Sequence, residues 1–334
     1  MKMSSLGDVV HALPAVTDAA AHGVRFDWVA EEAFASIPAR HPAVDRVLPI
    51  AWRRWRRELA ASRQPMRDFL HGLRERNYDV VVDAQGLVKS AVVTAMARAT
   101  RRCGFSFTSA REPLAAFVLD HRLDVAVGGH AVDRLRALFA GAFGYPLPEG
   151  PPDFGLGGAG MRAPGRRCLL LHGTTWASKH WPTAMWRALA TDLIAQGWDV
   201  ELPWGDADER ARAQAIGADL PGATVLESLT LAELAGRMEG AALVVGVDSG
   251  LAHLSGAMGV PTLVVYGSTS AARTGVRGPR VESLQSELFC SPCLHRVCRY
   301  RGETLRWRGE GVSPACYALL PPERVREEAL RLLD

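Results

Sequence analysis

Leu243–Thr269 reads LVVGVDSGLAHLSGAMGVPTLVVYGST, and its punctuation decides the fold. Leu243–Val247 is an apolar run rich in β-branched residues, the pattern of a buried parallel strand. It stops at Asp248-Ser249-Gly250. Leu251, Leu254 and Met258 then recur at helical spacing, Gly259-Val260-Pro261 ends that stretch, and Thr262–Tyr266 is a second buried strand. Units of this kind bind ligands at the carboxyl ends of their strands. Ser249, Gly250 and Leu251 offer backbone N–H groups at a helix N-terminus, which suits a phosphate. An ordinary helix capped by Asp248 or Ser249 explains this turn equally well. It does not explain the polar segments at other such turns.

Working outward, Cys168–His172, Asp199–Leu202 and Thr224–Leu226 read as further strands of the same series, and Pro321–Leu333 as a closing helix. Upstream, Phe26–Val29, Arg46–Ile50, Val80–Asp83 and Arg102–Phe105 read as strands. Leu13–Ala21, Met66–Arg76, Lys89–Ala97 and Ala131–Gly141 read as helices. Between the two series, Gly144–Arg167 is rich in Pro and Gly and has no periodicity, the mark of a domain junction. The expected fold is α/β, with two doubly wound domains facing a cleft: residues 1–150, residues 166–320 and a C-terminal helix over 321–334. The start is unusual. Met1–Asp8 (MKMSSLGD) opens directly on a turn, and two or three residues at most stand where a first strand belongs. That strand is therefore expected to be missing, or the true start to lie upstream.

The 334 residues are 48% hydrophobic and 22% charged, as in a globular protein, and no apolar run reaches the roughly 20 residues of a membrane span. Asp8 and His11 interrupt any signal-peptide core, so a cytoplasmic protein is expected. A net charge of +3 gives no bulk reason to expect nucleic acid. Charge is uneven, however. Trp52–Arg57 reads WRRWRR, while the only lysines are Lys2, Lys89 and Lys179. Of six cysteines, Cys290, Cys293, Cys298 and Cys316 form a C-x2-C-x4-C-x17-C pattern. Such spacing is compatible with a zinc or iron–sulfur site, or with reduced thiols in a loop.

Four segments carry a resemblance: Met3–Pro14 (MSSLGDVVHALP), Asp83–Ser90 (DAQGLVKS), Leu171–Pro182 (LHGTTWASKHWP) and Val247–Ser268. In order and over nearly the whole chain, they resemble the heptosyltransferases of glycosyltransferase family 9, which build the inner core of bacterial lipopolysaccharide. Arg53–Arg57, Thr108–Ala115 (TSAREPLA) and Leu202–Glu209 (LPWGDADE) are most similar to the type I branch. The resemblance implies a GT-B fold with an N-terminal acceptor domain and a C-terminal donor domain. It implies inverting transfer of L-glycero-D-manno-heptose from ADP-heptose to a Kdo sugar of Kdo-lipid A.

The resemblance also implies residue roles that make chemical sense. Asp8, in a glycine-containing loop beside Ser5 and Gly7, would be the base that takes the acceptor hydroxyl proton. As a plain structural residue it would be a helix N-cap. Lys179 would contact the diphosphate, where a compact ammonium stabilises the charge of the departing ADP. Thr174, Thr175, Asp248, Ser249, Gly250, Leu251 and His253 would complete the donor site. Glu209 would bind the ribose hydroxyls, with Trp204-Gly205 bordering the adenine. Arg53, Arg54, Arg56 and Arg57 offer forked donors for lipid A phosphates and Kdo carboxylates, and Lys89, Arg111 and Arg134 match acceptor-side positions. Trp52 and Trp55 interleave with the arginines, so this face is expected to dock reversibly on the inner membrane. A solvated basic helix face is the bland alternative.

No Asp-x-Asp metal motif falls in Leu171–Pro182 or Val247–Ser268, so a metal-independent reaction without cofactor is expected. The cysteine-bearing Phe289–Cys316 segment is more like type II sequences and leaves a type II acceptor open. A sugar-nucleotide epimerase or a non-catalytic sugar-nucleotide-binding scaffold are readings from other classes.

Overall fold

The computed structural model describes residues 1–157 and 165–334, in two compact units, Met1–Leu156 and Gly157–Asp334. Part of the expected Pro/Gly junction, residues 158–164, lies outside the described residues.

The first unit runs α1 (Leu6–Ala20), β1 (Phe26–Glu31), β2 (Val44–Ile50), α2 (Trp52–Arg57), α3 (Arg63–Arg74), β3 (Tyr78–Asp83), α4 (Val88–Met96), β4 (Ala99–Phe105), β5 (His121–Leu123) and α5 (Ala131–Phe143). Gly144, at φ +78°, ends α5 in the left-handed conformation that glycine adopts without penalty. The chain after it does not hang free. Tyr145, Phe154 and Leu156 are buried, and the Gly150 carbonyl accepts from Arg136. Arg136 in turn pairs with Asp18, tying α5 to α1. The Pro/Gly composition of 144–157 thus belongs to a strap packed on the first unit.

All strand pairs of this unit are parallel, but they form two separate sheets, β1–β2 and β3–β4–β5. Met1–Met3 bridges them. The Met1 ammonium donates to Val82 O at 2.8 Å, and Ala84 N–H donates to Met1 O at 3.1 Å. On the other side Glu31 N–H donates to Met3 O at 2.9 Å. Beneath this bridge a cavity of about 560 Å³ separates Phe26–Val29 from Tyr78–Val82. Burial pulls the Met1 ammonium down to about 6, against the nearby Asp83. A fused lead of about five β-branched residues ahead of Met1 would turn that amine into a ladder amide and fill the cavity. We expect the melting temperature to rise by roughly 5 °C, since the apolar burial exceeds the ordering entropy by a few kcal/mol. An unchanged melting curve would show that the cavity does not accept a strand.

The second unit runs β6 (Arg167–Leu171), α6 (Thr183–Ala195), β7 (Asp199–Leu202), α7 (Ala207–Gly217), β8 (Ala223–Val225), α8 (Leu231–Glu239), β9 (Leu243–Val247), α9 (Gly250–Ala257), β10 (Thr262–Tyr266), α10 (Ala271–Thr274) and β11 (Val281–Gln285). A small antiparallel ribbon, β12 (Arg306–Trp307) with β13 (Glu310–Gly311), precedes α11 (Pro322–Arg331). The sheet is parallel, in the order β11-β10-β9-β6-β7-β8. Strand order reverses between β6 and β9, so the turns after these two strands flank the switch point where doubly wound sheets bind ligands. Leu169, Leu170, Val244 and Val245 are fully buried, which is why both strands read as unbroken apolar runs.

Candidate active site

In the first unit, Ser5 precedes α1 and Asp8 lies in its first turn. Asp8 Oδ2 accepts from Ser5 N–H (2.9 Å) and Ser5 Oγ–H (3.0 Å). Asp8 is therefore neither a loop residue, as expected from its Gly7 neighbour, nor an N-cap. It is the carboxylate at the third helical position that reaches back to the cap residue. Its side chain is 41% exposed, and Oδ1 lies 3.4 Å from Lys2 Nζ. Burial pushes the Asp8 carboxyl up, but the Lys2 ammonium and the Ser5 donors outweigh it and hold the group at about 2. Asp8 is an anion at neutral pH.

The Asp83–Ser90 segment supports this turn. Gln85 Oε1 accepts from Met3 N–H at 2.7 Å and Ser4 N–H at 3.3 Å, and its amide donates to Ser4 O. Lys89 Nζ donates to Ser4 Oγ at 2.8 Å. Buried Asp83 accepts from Gln85 N–H, Gly86 N–H and Ser90 Oγ–H, closing the turn beneath. Burial pushes Asp83 up against these donors and pulls Lys89 down.

The WRRWRR segment is the short helix α2. Arg53, Arg56 and Arg57 are exposed, while Arg54 pairs with Glu32 at 2.9 Å. Trp55 corrects the expected membrane face. It is 6% exposed and packs edge-on against Phe69 with ring centroids 5.6 Å apart, so it cannot enter a bilayer. Trp52 is half-buried beside it. Arg134 is likewise engaged inside the unit. It donates to Ala126 O and Ser109 O, both at 2.9 Å, and lies over Phe105. Arg111 is exposed.

In the second unit the switch-point turns bring the expected donor residues together. Lys179 Nζ lies 2.7 Å from Asp248 Oδ2, their side chains 15% and 8% exposed. His253 Nε2 is 3.6 Å from Asp248 Oδ1. Burial opposes ionisation of Asp248, but His253 and Lys179 outweigh it and hold the carboxyl well below the usual carboxylate range. Thr174 Oγ1 donates to Asp248 O at 3.1 Å, lacing the two turns together. Thr175 is exposed beside it. Ser249 caps α9, accepting from Ala252 N–H at 3.3 Å, so the helix opens at Gly250 and Leu251. Lys179 Nζ also lies 4.7 Å above the Trp176 ring.

Glu209, in the first turn of α7, accepts from Gly205 N–H at 2.8 Å. Its carboxylate lies directly over Gly173, where any Cβ would overlap it. That close approach places Glu209 at the end of β6. Trp204 is held by its indole N–H to Leu226 O at 2.6 Å.

Cys290, Cys293, Cys298 and Cys316 line one cavity of about 250 Å³. All are free thiols, and burial, with the neighbouring thiols, pushes Cys316 up to about 12. Among the described residues no three His, Cys, Asp or Glu side chains form a group that could hold a metal ion. The segment has another use. Ser178 donates to His295 O at 2.6 Å, Arg296 lies over Trp176, and Tyr317 Oη donates to Lys179 O at 2.7 Å. It buttresses the turn that carries Lys179.

Two α/β units of parallel strands, the second with a lysine–carboxylate pair and a helix N-terminus at its switch point, have the parts expected of a sugar-nucleotide-dependent glycosyltransferase. The profile of glycosyltransferase family 9 (heptosyltransferase) matches residues 66–303, and the chain belongs to that family. It is 46% identical to lipopolysaccharide heptosyltransferase 1 of Pseudomonas aeruginosa, over 100% of this chain and 97% of that one. It is 41% identical to the protein of the same name in Escherichia coli K12, over 83% of this chain and 90% of that one. Among solved structures it is similar to E. coli heptosyltransferase WaaC with ADP-2-deoxy-2-fluoro heptose. The TM-score is 0.81 at 35% identity, covering 99% of this chain and 98% of that one. The fold is GT-B and the protein is an enzyme.

Proposed function

We propose that the enzyme transfers L-glycero-D-manno-heptose from ADP-heptose to a Kdo sugar of Kdo-lipid A, with inversion at the anomeric carbon. The observation that carries this reading is the Lys179–Asp248 pair beside the start of α9. An ammonium has three N–H donors, so Lys179 can keep Asp248 and still face the diphosphate. As the sugar–phosphate bond breaks, charge grows on the β-phosphate. Lys179 and the N–H groups of Gly250 and Leu251 stabilise it. Glu209 takes the ribose hydroxyls, Thr174 and Thr175 line the diphosphate, and His253 holds Asp248. Asp8 accepts the proton of the attacking hydroxyl, with Ser5 and Gly7 shaping the turn around it. Arg53, Arg54, Arg56, Arg57, Lys89 and Arg111 are the anion-binding groups of the acceptor side, and Arg134 braces the Ser109 turn behind them. Residues 1–156 form the acceptor domain, and the donor domain follows.

The acceptor's lipid anchor makes this a peripheral enzyme of the cytoplasmic face of the inner membrane. Among the described residues no helix is long and apolar enough to cross a membrane. The type I acceptor is favoured by the 46% identity to lipopolysaccharide heptosyltransferase 1 of Pseudomonas aeruginosa. ADP release measured in EDTA tests the reading. Release that depends on Kdo-lipid A is expected. Release only with a heptosylated acceptor would move the enzyme to type II, and none with either would end the proposal.

A further inference from the structure

The first unit carries an exposed apolar stripe that the proposed chemistry does not use. On α4, Val88, Val92 and Met96 stand at i, i+4 and i+8, and all three are about 40% exposed. Lys89 is the helix's single charged residue, and it turns inward to Ser4. The helical turn Pro113–Val118 packs along α4 and extends the stripe with Leu114 (65% exposed) and Phe117 (67% exposed). Phe107 continues it, edge-on to Phe117 with centroids 5.1 Å apart. Scattered apolar residues on a surface are ordinary, whereas these six stand on neighbouring elements.

The rim of the stripe says what docks. Arg122 lies 5.2 Å over the Phe107 ring, Arg111 and Arg98 are exposed, and Arg74 lies at the far end, donating to Met96 O. Acids also stand on this rim, each held by a backbone N–H group. Glu112 accepts from Val88 N–H, and Asp120 accepts from Arg102 N–H. Apolar side chains framed by guanidinium groups match the interface of an anionic bilayer, with acyl chains against the stripe and headgroup phosphates against the rim. The stripe also begins at the acceptor turn, because Val88 neighbours Lys89, which holds Ser4.

We propose that Val88, Val92, Met96, Leu114, Phe117 and Phe107 form the surface by which this enzyme sits on an anionic lipid bilayer. The surface replaces the tryptophans of α2, of which Trp55 is buried. The proposal rests on the lipid-linked acceptor reading and gives it a geometry: the Asp8 turn is presented at the membrane surface.

The test is co-sedimentation of the full chain with vesicles of phosphatidylglycerol and phosphatidylethanolamine, and with phosphatidylcholine vesicles. Binding to the anionic vesicles that weakens with salt is expected. The double variant Leu114→Ser with Phe117→Ser should bind at least about tenfold more weakly, because two large apolar contacts are lost. It should keep its melting temperature and its ADP release with a deacylated, water-soluble Kdo acceptor. Should that variant fold poorly, Val92→Ser with Met96→Ser probes the same stripe from α4. Unchanged vesicle binding in a folded variant overturns the proposal. So does equal binding to phosphatidylcholine, and so does a parent protein that self-associates through these residues. Vesicle binding needs no sugar, so it survives if the acceptor assignment fails. Heptosyl transfer with unaltered vesicle binding would sink the docking surface alone.

Discussion

Replacing Asp8 by Asn is expected to reduce turnover by on the order of 10³-fold while ADP binding is kept. The amide oxygen can still accept from Ser5 N–H, so the start of α1 survives and only the basic oxygen is lost. Asp8→Ala removes both and should also lower stability by about 1 kcal/mol, the usual cost of a lost cap. Comparing the two separates chemistry from folding. The pH profile adds a sign. Asp8 is held at about 2, with the Lys2 ammonium the largest factor lowering it. Its contribution to stability is present above the unfolded-state value and is lost as pH falls through the folded one. Activity that needs Asp8 ionised should therefore persist into acid. Lys2→Met removes the cation, raises the Asp8 pKa and moves the acid limb of kcat/KM upward. If Asp8→Asn turned over like the parent, another group would be the base.

The second large effect is at Lys179. Lys179→Ala is expected to lower turnover by roughly 10²–10³-fold, the scale of losing one transition-state donor in a shielded site. It should also destabilise the second unit by about 3–5 kcal/mol, because Asp248 stays buried without its cation. Adding Asp248→Asn should restore much of the melting temperature, because the uncompensated charge is gone, and none of the turnover. The double variant thus distinguishes a structural ion pair from a catalytic one. Recovery of activity together with stability would show that Lys179 acts only by neutralising Asp248.

Much of the second unit was legible in advance. Asp199–Leu202, Leu243–Val247 and Thr262–Tyr266 are strands with the expected bounds, and in the last two burial on both faces keeps the run almost wholly apolar. The pairing of Lys179 with Asp248 was expected only as a shared role, because the residues lie far apart in sequence. The start of α1 was misjudged. Gly7 and Pro14 are poor helix formers, yet both lie inside Leu6–Ala20, where packing and the Ser5–Asp8 contact override propensity. The roles of Lys2 and Gln85 carry no readable signal, because their contacts to Asp8, Met3 and Ser4 are set by how segments pack and not by local pattern. Trp55 misled because an aromatic between arginines looks the same in sequence whether it faces a membrane or Phe69. The buttress that Phe289–Tyr317 gives Lys179 left no periodic signal at all.

The chain's three lysines have a consequence for anyone who handles the protein. Lys2 lies on Asp8, Lys89 on Ser4 and Lys179 on Asp248. The terminal amine is itself bonded to Val82. Every primary amine of the described structure is therefore part of the proposed machinery or of its support, and the surface cations are arginines. Amine-coupled dyes, biotin esters, formaldehyde fixation and surface immobilisation through lysine have no innocuous target here. Conversely, an aldehyde or activated ester that does react would report on the surroundings of Asp8, Ser4 or Asp248.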